Sequence, residues 1–224
     1  LFGRAGIELV RDGEVIAGTV QEGDHYYRTW PDPATAYIAG YFSPFLIASS
    51  GLEAEYADVL SGQTGNNPIS RLFNNLLHKP QTGSNLRLTI DADLQRSAHA
   101  LLDGQNGAVV VIDVETGDVV VMASNPTYDP NQLFTTSPAG NPEAQAYWES
   151  IINDPDRPLV TRASLGLYTP GSTFKTVTAA IAIERGYAEP DSVYEDDGDI
   201  EIDGRVLVEN NRPDETRSEW TLRE

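Results

Sequence analysis

Two uniformly apolar runs constrain the fold of this chain more than any other feature of its sequence. They lie in "GAVVVIDVETGDVVVMAS", residues 107 to 124, and are separated by Glu115, Thr116 and Gly117. A turn with glycine between two β-branched runs predicts a hairpin. Because neither run alternates apolar with polar residues, both faces need cover, which is typical of the middle of a sheet. The sequence therefore predicts a covered central hairpin.

The composition narrows the possible partners. Among 224 residues, 34 are Asp or Glu and 15 are Lys or Arg, which gives a formal net charge of −19. Without a basic stripe, nucleic acid is excluded as a partner, and solubility is the simplest explanation of the acidity. The absence of cysteine excludes disulfides and thiolate metal sites. No apolar stretch reaches about 18 residues, so the sequence predicts no transmembrane helix in this chain.

Residues 1–86 are predicted to form a first region of short strands and turns. In "GIELVRDGEVIAGTV", two apolar runs around Asp12-Gly13 predict a hairpin. "SGLEAEYADVLSG" predicts one short helix that ends at Gly62. The polar, turn-rich segment 78–85 predicts a linker to a second region.

The second region is predicted to contain three helices and a further hairpin. The hairpin turns about Asp203-Gly204 in "DIEIDGRVLVEN", and the third helix ends at Arg185-Gly186. Apolar spacing predicts the buried face of each helix. These faces are Leu94, Ala98, Leu101 and Leu102 in the first helix, Tyr147, Trp148, Ile151 and Ile152 in the second, and Phe174, Val177, Ala180 and Ile181 in the third.

The third helix carries an unusual pair of residues at its start. "LYTPGSTFKTVTAAIAIERG", residues 167 to 186, predicts a turn and then a helix that Ser172 opens, with Lys175 in the first helical turn. In a purely structural interpretation, Ser172 is the N-cap of this helix and Lys175 a surface charge. A cation at that position opposes the helix dipole, and a capping box would place Glu or Gln there. The chain has only two lysines, Lys79 and Lys175. A capped surface helix therefore explains the serine but not the lysine.

A catalytic pair explains both residues. A serine hydroxyl becomes a nucleophile when a base removes its proton. A lysine amine can be that base when desolvation or a nearby cation lowers its pKa. The helix N-terminus is a positive environment, and its backbone N–H groups can hold a developing oxyanion. Spacing alone leaves the structural and the catalytic interpretation open.

Longer stretches resemble a known family. "YTPGSTFK" resembles the active-site serine motif Y-P-P-G-S-T-F-K of penicillin-binding proteins, with Thr169 in place of the first proline. "LTIDADLQ", "GAVVVIDVETGDVVVMASNPTYDPN" and "RPLVTRASLGLYTPGSTFK" resemble the opening half of a class B transpeptidase domain. "GIELVRDGEVIAGTV" and "SSGLEAEYADVLSG" resemble its pedestal, or dimerisation, domain. The chain looks like the actinobacterial penicillin-binding protein A type.

The resemblance implies an α+β fold: a small β-rich pedestal over residues 1–86, then the N-terminal part of a serine transpeptidase/β-lactamase-like α/β domain over 87–224. It implies that Ser172 is acylated by peptidoglycan stem peptides ending in D-Ala-D-Ala, or by β-lactams, and that Lys175 is the activating base. It implies no metal and no cofactor. It also implies an extracytoplasmic location, a membrane anchor outside this chain, and partners among cell-wall synthesis or division proteins.

Two motifs of the family are absent from this chain. No serine begins a Ser-x-Asn, and no Lys-Thr-Gly occurs, since "KPQTG" at 79 to 83 has the wrong spacing. We therefore expect a truncated chain that is inactive alone, with an unpaired edge on the hairpin at 107–124. One alternative is the β-lactam-sensing domain of a signal transducer, against which the pedestal-like region argues. Another alternative is a fragment that functions in protein–protein interaction, with a pedestal that binds division or elongation proteins.

Overall fold

The computed structural model divides into two units, Leu1–Leu167 and Tyr168–Glu224. No helix among the described residues is both long and apolar enough to cross a membrane. The residues that the structure describes are 4–9, 13–23, 25–44, 46–63, 83–135, 141–209, 214 and 216–223.

A four-stranded sheet forms the N-terminal part of the first unit. Its strands are β1 (Ile7–Leu9), β2 (Val15–Glu22), β3 (His25–Thr29) and β6 (Leu86–Leu88). Their order is β3-β2-β1-β6, with β1 parallel to β6 and antiparallel to β2. The antiparallel β1–β2 pair confirms the hairpin predicted about Asp12-Gly13, although residues 10–12 lie outside the described residues. The predicted linker lies largely outside them too, because only 83–85 of its residues are described.

Short helices and a small hairpin follow β3 in the first unit. They are α1 (Pro33–Ala39), β4 (Phe42–Ser43), β5 (Ala48–Ser49), α2 (Gly51–Glu55) and α3 (Ala57–Leu60). The single helix predicted to end at Gly62 is wrong in one respect. It is broken at Tyr56, because that residue, with φ −106° and ψ 27°, leaves the helical conformation.

The remainder of the first unit contains the predicted apolar hairpin. Its elements are α4 (Ala92–Leu101), β7 (Gly107–Ile112), β8 (Val119–Asn125), a 3-10 turn (Pro130–Leu133), α5 (Pro142–Ile152) and α6 (Arg162–Leu165). Antiparallel pairing of β7 with β8 confirms the hairpin. The prediction that both faces of this hairpin are covered is wrong for the described residues, because Val110, Val111 and Ile112 are 45%, 43% and 53% exposed. Among the described residues their sheet contains only these two strands, so the predicted open edge is present there.

The buried face of α4 differs from the predicted one. Leu94 and Leu101 are 49% and 77% exposed, whereas Gln95 is fully buried. The reason is tertiary: Gln95 exchanges two hydrogen bonds with the main chain of Met122 on β8, at 2.9 and 3.1 Å. These bonds turn the polar side of the helix inward, against the ordinary preference for leucine there.

One hydrophobic core joins the N-terminal sheet to the helices that follow it. Ile7 and Ile16 of the sheet share this core with Ile151 of α5. Tyr147 and Trp148 are partly buried against the same core. Three of the four residues predicted for the buried face of α5 are therefore confirmed, and the fourth, Ile152, is 47% exposed.

A buried ion cluster connects three segments of the first unit. The Glu53 carboxylate on α2 accepts a hydrogen bond from Arg28 Nε at 2.6 Å and pairs with Arg4 Nε at 2.9 Å. The Glu53 side chain is fully buried, and that of Arg28 is 2% exposed. Burial lowers the pKa of Arg28, and the Glu53 charge and hydrogen bond oppose that shift. Glu53 therefore compensates two cations that burial would otherwise destabilise.

Glu53→Gln is expected to lower the free energy of unfolding of the protein by about 3–5 kcal/mol, because two arginines lose their counter-charge. Guanidinium denaturation followed by circular dichroism measures the change. The control is Asp93→Asn, since Asp93 pairs with Arg96 at 3.4 Å on the surface and its side chain is 96% exposed. This control is expected to change the free energy by less than about 1 kcal/mol. Equal effects of the two substitutions would contradict the prediction.

In the part of the second unit that the structure describes there are one α-helix and two separate pairs of strands. Its elements are α7 (Phe174–Glu184), β9 (Val193–Glu195), β10 (Asp199–Ile202), β11 (Arg205–Val208) and β12 (Glu219–Thr221). β10 pairs antiparallel with β11, which confirms the hairpin about Asp203-Gly204, and β12 pairs antiparallel with β9. α7 ends at Arg185 and Gly186 has φ 70°, as the sequence predicts.

The predicted buried face of α7 is wrong for the residues that the structure describes. Phe174, Val177 and Ile181 are 55%, 46% and 48% exposed, and Ala180 is exposed as well. The described strands of the second unit form only two-stranded sheets, and the exposure of these side chains shows that no described element covers this face of the helix. An exposed stripe of this kind is unusual on a helix that is apolar along one side.

Candidate active site

Ser172 lies in a tight turn immediately before α7. A 3-10 turn, Gly171–Thr173, holds the serine and continues directly into the helix. Gly171 has φ 54°, a left-handed conformation that glycine adopts without strain. The Pro170-Gly171 dipeptide therefore changes the direction of the chain just before the serine. The Thr173 N–H donates to the Pro170 carbonyl at 3.2 Å and closes the turn.

The structural interpretation of Ser172 as an N-cap is wrong. The residue before the first α-helical position is Thr173, and no side chain caps the helix. The reason is that the backbone of Thr173, at φ −64° and ψ −24°, is already helical, so the 3-10 turn satisfies part of the helix end. A cap would need the extended backbone that Ser172 does not provide.

The hydroxyl and the backbone N–H of Ser172 are therefore available for chemistry. Its exposed hydroxyl makes no hydrogen bond with any other described residue. Its backbone N–H likewise has no acceptor among the described residues. The hydroxyl can act as a nucleophile, and the unused N–H at the helix N-terminus can stabilise the negative charge that develops on the attacked carbonyl oxygen. Both groups lie in one small region of the surface.

Lys175 lies in the first turn of α7, where the sequence predicts it. Residues at i and i+3 lie on one side of a helix, so Lys175 and Ser172 are neighbours on the same turn. The lysine is exposed and makes no hydrogen bond or ion pair within the described part of the chain. The structure thus brings the two predicted residues to one turn without joining their side chains. Catalytic hydrogen bonds are often formed only with substrate bound.

Lys175 also borders a groove inside the second unit. The groove has a volume of about 740 Å³ and is lined by residues of β10 and β11 and of the loop before β10. Lys175 is the only cation among the described lining residues, so this groove does not supply the second cation that would favour a neutral amine. The carboxylates on its wall belong to Glu195, Asp196, Asp197, Asp199 and Glu209.

Within the described residues, no set of three or more histidine, aspartate or glutamate side chains is placed to hold a metal ion.

Two family models match this chain. The model described as penicillin binding protein transpeptidase domain matches residues 107–224. The model described as penicillin binding protein A dimerisation domain matches residues 6–86. The first match contains both Ser172 and Lys175, and the second covers the four-stranded sheet up to the first residue of β6.

Characterised proteins and solved structures give the same result. The chain is 36% identical over 173 residues to peptidoglycan D,D-transpeptidase MrdA of Escherichia coli, covering 75% of this chain and 26% of that protein. It is 34% identical over 187 residues to peptidoglycan D,D-transpeptidase PbpA of Mycolicibacterium smegmatis, covering 80% of this chain and 37% of that protein. Its fold matches the imipenem acyl-enzyme complex of penicillin-binding protein A from M. tuberculosis, with a TM-score of 0.81 and 27% identity.

This chain spans only part of the length of each of these relatives. The structural match includes 99% of this chain but 52% of the M. tuberculosis chain, so this chain spans about half of that solved chain. It spans a smaller share, 26% and 37%, of the two curated relatives. The matches confirm the family resemblance and the fold class predicted from the sequence, a dimerisation region followed by part of a transpeptidase domain.

Proposed function

Because this chain belongs to the family of penicillin-binding protein transpeptidases, we propose that it is the N-terminal part of a peptidoglycan D,D-transpeptidase in which Ser172 is the nucleophile. One observation carries the proposal: the unbonded Ser172 hydroxyl lies in a 3-10 turn at the start of α7, with Lys175 on the same turn. A structural serine would cap the helix, and this one does not.

The proposed reaction is an acyl transfer in two steps. Ser172 Oγ attacks the carbonyl of the penultimate D-Ala of a stem peptide, Lys175 Nζ takes the hydroxyl proton, and the terminal D-Ala leaves with a proton on its amine. An amine of a neighbouring strand then attacks the ester, forms the cross-link and releases Ser172. The Ser172 N–H is one candidate donor to the oxyanion of each tetrahedral intermediate. β-Lactams acylate the same serine, and the reaction requires neither metal nor cofactor.

The two regions have separate proposed roles. Residues 1–86 form a pedestal that contacts cell-wall synthesis or division proteins, and residues 87–224 begin the catalytic domain. The protein acts at the extracytoplasmic face of the cytoplasmic membrane, held by an anchor outside this chain. Support comes from the dimerisation-domain match and from relatives that are named peptidoglycan D,D-transpeptidases.

Residues 1–224 alone are proposed to acylate negligibly, because the chain has neither Ser-x-Asn nor Lys-Thr-Gly. In the family these motifs supply a second cation and an oxyanion donor, and loss of one such donor costs ~10²–10³ in rate. The test incubates the full-length protein and residues 1–224 separately with a fluorescent penicillin, and mass spectrometry locates the label.

The expected result is labelling of Ser172 in the full-length protein at a rate at least about 10²-fold above that of residues 1–224. Pre-incubation with unlabelled penicillin is the control for specific binding. Comparable rates would show that residues 1–224 are sufficient and would overturn the truncation proposal. Absence of label at Ser172 in the full-length protein would overturn the transpeptidase proposal itself.

A further inference from the structure

Thr173 makes two hydrogen bonds that close the turn containing Ser172. Its backbone N–H donates to the Pro170 carbonyl at 3.2 Å, and its hydroxyl donates to the same oxygen. Gly171 and Ser172 lie between these two residues, so both bonds span the candidate nucleophile. A threonine with helical backbone angles can bond a carbonyl three or four residues earlier, and Thr173 has φ −64° and ψ −24°. The hydroxyl therefore reinforces the hydrogen bond that forms the turn.

The turn depends on this reinforcement because its first central residue is a glycine. Gly171 has φ 54°, and a glycine meets little steric resistance to leaving such a conformation. Ser172 is exposed, and neither its hydroxyl nor its N–H has a partner among the described residues. The hydrogen bonds of its neighbours therefore hold Ser172 in place. Both described bonds to the Pro170 carbonyl come from Thr173.

Two further threonines make hydroxyl bonds of the same kind on α7. Thr176 donates to the Thr173 carbonyl at 2.8 Å. Thr178 donates to the Phe174 carbonyl at 3.2 Å, and both of these residues belong to α7. Inside the helix the backbone N–H groups already bond the carbonyls four residues earlier, so the Thr178 hydroxyl adds little constraint. Of these three hydroxyl bonds, that of Thr173 is the one that spans Ser172.

We propose that Thr173 is a positioning residue for the acylation of Ser172. Its hydroxyl, bonded to the Pro170 carbonyl, keeps the turn closed and so holds Ser172 Oγ in one place relative to the first turn of α7, where Lys175 lies. Without that hydroxyl, one exposed hydrogen bond closes the turn, and Ser172 spends less time in the arrangement from which it attacks. Thr173 acts through the turn and does not contact the β-lactam. This inference rests on the proposed function.

The test measures β-lactam acylation of the full-length protein as a function of β-lactam concentration. Valine has the shape of threonine without the hydroxyl, whereas serine keeps the hydroxyl and lacks the methyl group. Thr173→Val is expected to lower the rate at saturation by about five- to tenfold, the usual contribution of one hydrogen bond. The half-saturating concentration is expected to stay unchanged, because the hydroxyl holds the turn rather than the β-lactam. Thr173→Ser is expected to keep the saturating rate within about twofold of the parent.

The matched control is Thr178→Val, the same chemical change at an exposed threonine of the same helix. Its saturating rate is expected to stay within about twofold of the parent. Hydrogen exchange of the Phe174 amide, which donates to the Gly171 carbonyl in the turn, provides a second measurement. Protection of this amide, relative to an unfolded peptide of the same sequence, is expected to fall in Thr173→Val. It is expected to stay at the parental level in Thr173→Ser and Thr178→Val.

Equal saturating rates of Thr173→Val and Thr178→Val would overturn the proposal. A Thr173→Ser variant as slow as Thr173→Val would also overturn it, because the methyl group rather than the hydroxyl would then matter. A raised half-saturating concentration at the parental saturating rate would place the hydroxyl on the β-lactam and would likewise contradict a positioning role. If Thr173→Val does not fold, Thr173→Ala, which also lacks the hydroxyl, takes its place.

Failure of the proposed function gives a different result. If the parent itself is not labelled at Ser172, the transpeptidase proposal fails, whereas exchange of the Phe174 amide still reports whether the Thr173 hydroxyl holds the turn closed. If the parent is labelled and Thr173→Val acylates at the parental rate, only the positioning role of Thr173 fails.

Discussion

Ser172→Ala is expected to abolish covalent labelling of the full-length protein by a fluorescent penicillin. In the proposed reaction the acyl-enzyme ester forms on the serine oxygen, and the variant has no oxygen at that position. Removal of a serine nucleophile from a hydrolytic site costs on the order of 10⁶ in rate, so the label falls below detection on a gel and in the intact mass. The N–H groups at the start of α7 remain, so β-lactam is still expected to bind reversibly.

The matched control for this prediction is Ser164→Ala. Ser164 is an exposed serine on α6, and among the described residues its hydroxyl makes only a long hydrogen bond, 3.4 Å, to the Thr161 carbonyl. Its loss is expected to leave the labelling rate within about twofold. Persistent labelling of Ser172→Ala at the parental rate would mean that another side chain is the nucleophile, and peptide mapping of the adduct would identify it.

Local turn chemistry explains why several elements could be predicted from the sequence. Asp203-Gly204 forms the β10–β11 turn with φ values of 51° and 74°, and Gly117 lies between β7 and β8 with φ 79°. These conformations depend on only a few neighbouring residues, so the sequence carries the whole signal. The end of α7 at Gly186 is local in the same sense.

Buried polar residues could not be predicted, because their partners are distant in sequence. Gln95 is buried by Tyr37 and Met122, which lie on two other elements. Glu53 is buried by Arg4 and Arg28, and nothing near Glu53 in the sequence indicates either arginine. Hydrophobic periodicity assigns inward positions to apolar residues, so it does not predict a hydrogen-bonded polar residue on the inward face of a helix.

The candidate site was predicted through its motif rather than through its geometry. Spacing placed Ser172 and Lys175 on one turn, and the structure agrees. The assignment of Ser172 as an N-cap failed because Gly171 has φ 54° and leads the chain into a 3-10 turn first. That difference favours catalysis, since a serine that does not cap the helix keeps its hydroxyl available.

Lys175→Arg is expected to lower the saturating rate of β-lactam acylation in the full-length protein by ~10²–10⁴, the usual contribution of a general base. Arginine keeps the positive charge and much of the length of lysine, but its guanidinium does not release a proton at neutral pH and so cannot accept the proton of Ser172. The half-saturating β-lactam concentration is therefore expected to change little, because the arginine still attracts the carboxylate of the β-lactam.

This split separates a base from a mere cation at the start of α7. If Lys175 acts only by its charge, arginine replaces it and both kinetic constants stay near the parental values. If it is the base, the saturating rate falls while the half-saturating concentration does not. The matched control is Lys79→Arg, the same chemical change at the only other lysine of the chain, which is expected to leave both constants unchanged. A parental saturating rate in Lys175→Arg would remove the base from the mechanism, and a different group would then have to take the proton of Ser172.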